Sequence, residues 1–311
     1  MKIKYLFLAF IFLSGALYAD CGYDISAPVF SYGVGETNPT EPGTVTLTRS
    51  KSNSACSNFF LAFTKGWAGN YKRRALNLLN GDLIYYNLYK SSNTTGVLKE
   101  PSDITSVNEV IYGTIAQNET KNLSYYFTLE PLSATVPARA GTYIDVVQVQ
   151  AYSGTYTNIN SYEGYRDLYI YINVAKTIAL SLVDTGTLYD SSKTSKTLDF
   201  GELDEGEELG FDVRIVSNSG YNLRASSSNN GILKRVDGTG SKSEIAYDFY
   251  ASNTKKSLSS SSSSPVTIAS ATGRTPSGGA QVPIRVVIKS VDDKDPGTYQ
   301  DYITLSVIST D

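Results

Sequence analysis

Histidine is absent from all 311 residues. Its absence removes Ser–His and Cys–His nucleophile pairs and the commonest metal ligand. Carboxylate pairs remain formally available, yet no acidic pair stands in a cleft-forming context. The acidic run Asp292–Gly297 lacks the spacing of an EF-hand and reads as a turn. The expectation is a protein that is not an enzyme and carries no metal or cofactor.

An excess of basic residues is also missing: 27 Lys and Arg face 30 Asp and Glu. A nucleic-acid partner, which requires a basic face, is therefore not expected. Long apolar runs are confined to the beginning. Lys2 and Lys4, the apolar stretch Tyr5–Leu13 and the sequence Ala16-Leu17-Tyr18-Ala19 read as a signal peptide over residues 1–19, cleaved after Ala19. No other segment reaches the roughly 18 apolar residues of a membrane span. The expected mature chain is exported, soluble and slightly acidic. Its only cysteines are Cys21 and Cys56. In an exported protein a single disulfide is the default.

Long helical periodicity is missing too. Short alternating runs separated by Gly, Ser, Asn and Pro fill the chain instead, in the spacing of a β-sandwich. Seven runs are expected as strands of a first domain, residues 20–176: Gly43–Ser50, Ser57–Thr64, Asp82–Tyr89, Glu109–Ala116, Leu123–Glu130, Thr142–Tyr152 and Arg166–Ala175. Seven more belong to a second, residues 177–311: Thr177–Val183, Leu209–Ser217, Tyr221–Ser226, Glu244–Tyr250, Pro265–Ala271, Val282–Ser290 and Thr298–Ile308. The two sets correspond. Leu83–Tyr89 matches Glu244–Tyr250, and Gly141-Thr-Tyr-Ile-Asp145 matches Gly297-Thr-Tyr-Gln-Asp301, at offsets of 161 and 156 residues. The boundary near Ala175–Thr177 leaves almost no linker, which predicts a rigid or semi-rigid pair. Ser257–Pro265 reads as a surface loop within the second repeat.

Cys21, Cys56, the strand "DLIYYNLYK" (Asp82–Lys90) and the late strand "AGTYIDVVQVQAY" (Ala140–Tyr152) resemble the spore coat protein U domain, with weaker echoes in the second half. That domain also forms the pilins of archaic chaperone–usher pili. The resemblance implies immunoglobulin-like sandwiches. In such pilins the seventh strand is missing and is supplied by the N-terminal donor strand of an adjacent pilin. A periplasmic immunoglobulin-like chaperone lends one beforehand, and an outer-membrane usher assembles the fibre. Two-domain members resemble tip adhesins, in which a binding domain rides on a pilin domain.

The residues themselves point the same way. Leu168, Ile170, Ile172 and Val174 alternate with Tyr169, Tyr171 and Asn173, so the first sandwich owns its closing strand. The given sequence stops within the second domain's counterpart of Thr142–Tyr152. The expected acceptor groove is lined by Ile178, Leu180 and Leu182 on one side and Tyr299, Ile303, Leu305 and Val307 on the other. The competing expectation is that an earlier segment folds back as the seventh strand. Gly297, 14 residues before the end, resembles the chaperone-recognised ending of other pilins, but Thr310 stands where those carry an aromatic. With only Asp20 ahead of Cys21, the expected mature chain can accept a strand and donate none, which places it at a fibre end.

Aromatic residues are uneven. Residues 20–176 hold 16 Tyr, 5 Phe and the single Trp; residues 177–311 hold 6 Tyr and 3 Phe. If successive strands alternate in direction, the loops Lys65–Asn77 and Ser153–Tyr165 share the end far from the second domain. Trp67, Tyr71, Tyr156, Ile159, Tyr162 and Tyr165 are then expected to form an adhesive tip for an unidentified surface or receptor. The alternative reading is a structural spore- or cyst-coat protein, in which the same aromatics are buried against neighbours.

Overall fold

The computed structural model describes residues 21–35, 37, 39–133 and 137–310; the expected signal peptide lies outside the described residues. The fold is all-β. The first half contains β1 (Tyr23–Ser26), β2 (Phe30–Val34), β3 (Glu41–Arg49), β4 (Asn58–Phe63), β5 (Arg73–Leu76), β6 (Leu83–Tyr89), β7 (Ile111–Thr114), β8 (Thr120–Leu129), β9 (Gly141–Thr155) and β10 (Asn158–Val174). They pair in the order β1-β3-β8-β6-β5-β9-β10-β2, with β4 between β7 and β9. Strand β5 pairs with both β6 and β9 and so carries the sheet round a corner, wrapping it about one core. Period-two alternation builds that core: Tyr143, Val147, Val149 and Ala151 of β9 and Leu168, Ile170 and Ile172 of β10 are fully buried.

The second half contains β11 (Ile178–Val183), β12 (Glu208–Ser217), β13 (Gly220–Ser227), β14 (Ile232–Arg235), β15 (Glu244–Ala251), β16 (Thr254–Lys256), β17 (Val266–Ala271), β18 (Ala280–Ile288), β19 (Tyr299–Gln300) and β20 (Ile303–Thr310). One sheet runs β11-β12-β18-β15-β14-β19, with β16 on β15; the other runs β17-β13-β20. A separate core lies between them, around Phe211, Val213, Ile215, Leu223, Phe249 and Ile284. At the junction Asn218 bonds Ala175 and Thr177 through its side chain, while its carbonyl accepts from the Ala140 amide. Arg274 and Arg139 both reach Asp82, at 3.3 and 3.6 Å.

Every run expected as a strand contains one. Short β1, β2, β5, β14 and β16 were not expected, because three to five residues carry no legible period. The run Thr298–Ile308 is split at Asp301-Tyr302 into β19 and β20. The larger difference is Ser153–Tyr165, expected as a loop. It is the far end of the β9–β10 hairpin, whose turn is only Tyr156-Thr157. Polar Asn158, Asn160 and Ser161 hid that extension.

The two matched motifs have a physical basis. Tyr143 donates to the Arg139 carbonyl at 2.9 Å, and Tyr299 donates to the Asp295 carbonyl at 2.6 Å, four residues back in each case. This is a tyrosine corner, which marks the start of the penultimate strand of an immunoglobulin-like sandwich. Two residues on, Asp145 accepts from the Tyr86 hydroxyl and Asp301 from the Tyr247 hydroxyl, both at 2.6 Å. The same clamp thus pins strand to strand in both halves.

Burial raises the Asp145 carboxyl above its ordinary value, outweighing the Trp67 amide and Tyr86 hydroxyl that pull it down. Ionised Asp145 therefore costs stability as pH rises through its folded value, and the Tyr86 hydroxyl limits that cost. Replacing Tyr86 with Phe is expected to destabilise the first sandwich by about 1.5–3 kcal/mol near neutral pH. The loss should shrink as Asp145 protonates on acidification; urea unfolding at several pH values checks both parts.

Candidate functional site

The halves correspond segment by segment, at offsets that change between segments. Phe30, Tyr32, Val45 and Leu47 correspond to Leu198, Phe200, Val213 and Ile215, each 168 positions later. Val147, Val149 and Ala151 of β9 correspond to Ile303, Leu305 and Val307 of β20, each 156 positions later. In the first sandwich β10 lies between β9, antiparallel, and β2, parallel. The counterpart of β9 is β20, and the counterpart of β2 is the segment 198–202. Among the described residues nothing corresponds to β10, so β20 has β13 as its one strand neighbour.

That difference appears in burial. Val147, Val149 and Ala151 are fully buried, whereas Ile303, Leu305 and Val307 pack on the second core but stay half-exposed. Ile178, Leu180 and Leu182 of β11, which among the described residues pairs with β12 alone, are likewise half-exposed. Leu198, Phe200 and Leu203 pack on the same core without joining a strand. An open apolar edge results, flanked by β20, β11 and the segment 198–203. Tyr299 stands apart: it sits in β19, paired with β14, and its hydroxyl is used by the corner.

The expected tip residues do not share one end. The Trp67 amide donates to Asp145 Oδ1 at 2.9 Å. Asp145 lies ten residues before Thr155, the end of β9, which is about 33 Å along a strand. Strand alternation misplaced the Lys65–Asn77 loop because β4 ends partway along β9, at Phe63 opposite Val149. Tyr71 is committed internally. Its hydroxyl donates to Asp103 at 2.9 Å and accepts from the Glu100 amide at 2.8 Å, and burial pushes it up to about 12. Trp67 remains half-exposed, away from the hairpin.

The other four do gather at the hairpin. Tyr156 packs on Phe60, Ala62 and Val110, while Ile159, Tyr162 and Tyr165 are 43%, 41% and 50% exposed. They adjoin a cross-strand aromatic row missed in the sequence: Tyr112, Phe60, Tyr152 and Tyr162 stand directly opposite one another on β7, β4, β9 and β10. Phe60 and Tyr152 stack at 4.8 Å, and Tyr152 meets Tyr162 at 5.2 Å. The one readable hint was Phe59–Phe63, an unbroken apolar run that signals a strand covered on both faces.

Below the hairpin, Cys21 and Cys56 form a disulfide. The Cys21 amide donates to Glu163 on β10 at 3.0 Å, and Tyr23 donates to the Cys56 carbonyl at 2.5 Å. The hairpin base is thereby tied to the start of β1.

Residues 10–150 match the family model of the Spore Coat Protein U domain. No curated protein matches the chain. Among solved structures it is similar to a chain of the CsuC–CsuE chaperone–tip adhesion subunit pre-assembly complex of archaic chaperone-usher Csu pili of Acinetobacter baumannii. That match has 14% identity, 91% coverage of this chain, 99% of that one and a TM-score of 0.38. The CupB6 tip adhesin of Pseudomonas aeruginosa matches at 8% identity, with 92% and 94% coverage and a TM-score of 0.41. CfaE, the adhesive subunit of the CFA/I fimbria of enterotoxigenic Escherichia coli, matches at 13%, with 93% and 82% coverage and a TM-score of 0.36.

Proposed function

We propose that this chain is an adhesive subunit of a chaperone–usher pilus, exported through the periplasm and displayed at the fibre tip. The second sandwich accepts the N-terminal donor strand of an adjacent pilin along β20, by β-strand addition. Before assembly a periplasmic immunoglobulin-like chaperone occupies the same edge, and an outer-membrane usher hands the subunit on. The first sandwich, closed by its own β10, has no such requirement and is free to carry the contact surface. One observation carries this reading: Ile303, Leu305 and Val307 are half-exposed where their counterparts on β9 are fully buried.

The contact itself is assigned to the β9–β10 hairpin, through Tyr156, Ile159, Tyr162 and Tyr165. Exposed aromatics there combine apolar area with a polar edge, suited to an abiotic, lipid or sugar surface. Replacing Ile159, Tyr162 and Tyr165 together with Ser is expected to lower attachment of assembled pili about tenfold, since each aromatic contact is worth about 0.5–1.5 kcal/mol. Trp67→Ser should leave attachment nearly unchanged. Undiminished attachment by pili that still assemble with the triple variant would remove the hairpin from the adhesive role.

A further inference from the structure

The segment beside the open edge differs from its counterpart in charge. In the first sandwich the outward side chains of β2 are neutral, and Asn173 of β10 donates to Ser31 at 3.0 Å while accepting from Thr142 of β9 at 2.8 Å. At the offset of 168, the outward Ser31 becomes Asp199, and the core-packed Val34 has Glu202, an exposed carboxylate, at its position; at the offset of 156, Thr142 becomes Thr298. Asp204, Glu205 and Glu207 follow directly. Asp199, Glu202, Asp204 and Glu205 are exposed. None of these five makes an ion pair among the described residues, and the Glu207 Oε2 atom is shielded without a hydrogen-bond partner.

We infer that the strand received by the second sandwich is basic on its outer face, with Lys or Arg at the positions equivalent to Tyr171 and Asn173, and that the acidic lip Asp199–Glu207 selects it. This inference rests on the acceptor reading above and adds the chemistry of the partner. The apolar side of the groove accepts any strand with the right alternation. The lip supplies what an apolar groove lacks, a means of telling one alternating strand from another. Where Asn173 meets a neutral hydroxyl, the incoming residue meets a carboxylate, and a like charge there would be repelled. Opposite charges at the rim of an interface act chiefly on encounter rate and on discrimination, and they weaken with salt.

The test uses the full chain and two synthetic peptides that share the inward pattern Leu-x-Ile-x-Ile-x-Val of β10. One carries Lys at the positions of Tyr171 and Asn173, the other Glu. At about 50 mM salt, where the screening length exceeds 10 Å, the Lys peptide should associate at least about tenfold faster. The difference should collapse near about 500 mM salt. Asp199→Lys combined with Glu202→Lys should reverse the preference without abolishing binding, since neither side chain faces the core. Equal, salt-insensitive association of both peptides would overturn the inference while leaving the acceptor groove standing. Failure of both to bind at any salt would overturn the groove and this inference with it.

Discussion

A peptide carrying the inward pattern of β10, added in excess to the full chain, is expected to raise the melting temperature of the second sandwich by about 10 °C or more. Four apolar side chains laid into the open edge contribute roughly 6–12 kcal/mol before the cost of ordering the peptide. Whole-domain stability is typically about 5–15 kcal/mol, so even a third of that gain is large. At about 2–8 °C per kcal/mol for domains near this size, the shift is well outside calorimetric error. The first sandwich should not respond, because Leu168, Ile170 and Ile172 already occupy its equivalent position. A peptide of the same composition with the alternation moved by one residue presents its apolar side chains outward and should give no shift. Calorimetry with both peptides resolves the two transitions. A second sandwich already as stable as the first, and indifferent to either peptide, would contradict the acceptor model.

Loss of the Cys21–Cys56 bond should be the largest single covalent effect, and it should fall entirely on the other sandwich. The bond closes a loop of 36 residues, counting both cysteines. In the chain-entropy treatment this is worth about 3–4 kcal/mol. The contacts around it survive reduction, since the Cys21 amide still meets Glu163 and Tyr23 still meets the Cys56 carbonyl. The first sandwich should therefore stay folded but weaker, with its urea midpoint lowered by more than about 1 M. A Cys21→Ser, Cys56→Ser variant should behave as the reduced protein does, and the second transition should stay where it was. Equal loss in both transitions would mean that the sandwiches unfold as one unit. An unchanged first transition would mean that the hydrogen bonds at the base of the hairpin suffice.

Strand existence was legible because alternation is a local property. Tyr143, Val147, Val149 and Ala151 face inward in β9 as their spacing requires, and so do Ile303, Leu305 and Val307 in β20. The paired motifs were legible as repeats but not as chemistry. That Asp145 and Asp301 each accept from a tyrosine on another strand depends on register, which no single strand specifies. Register also hid the aromatic row, since Tyr112, Phe60, Tyr152 and Tyr162 are far apart in sequence and meet only once β4 is set between β7 and β9. The grouping of the proposed contact residues was half legible. Tyr156, Ile159, Tyr162 and Tyr165 are neighbours in sequence and remain so in space. Trp67 was assigned to them by counting strand directions, a count that assumes strands of equal length; β4 is six residues long against fifteen for β9. The segment 198–202 was not read as a counterpart of β2 because the connection ahead of it is longer in the second half. By pairing register Ile25 opposite Leu47 matches Leu180 opposite Ile215, an offset of 155 that becomes 168 at Leu198.

Amide hydrogen exchange along β20 tests the central claim most directly. The account predicts that Ile303–Thr310 contains fast-exchanging amides on the side away from β13, and that the alternating peptide slows them without altering the opposite edge strand β17. Slow exchange throughout β20 before any peptide is added, or protection that appears on β17 instead, would contradict it.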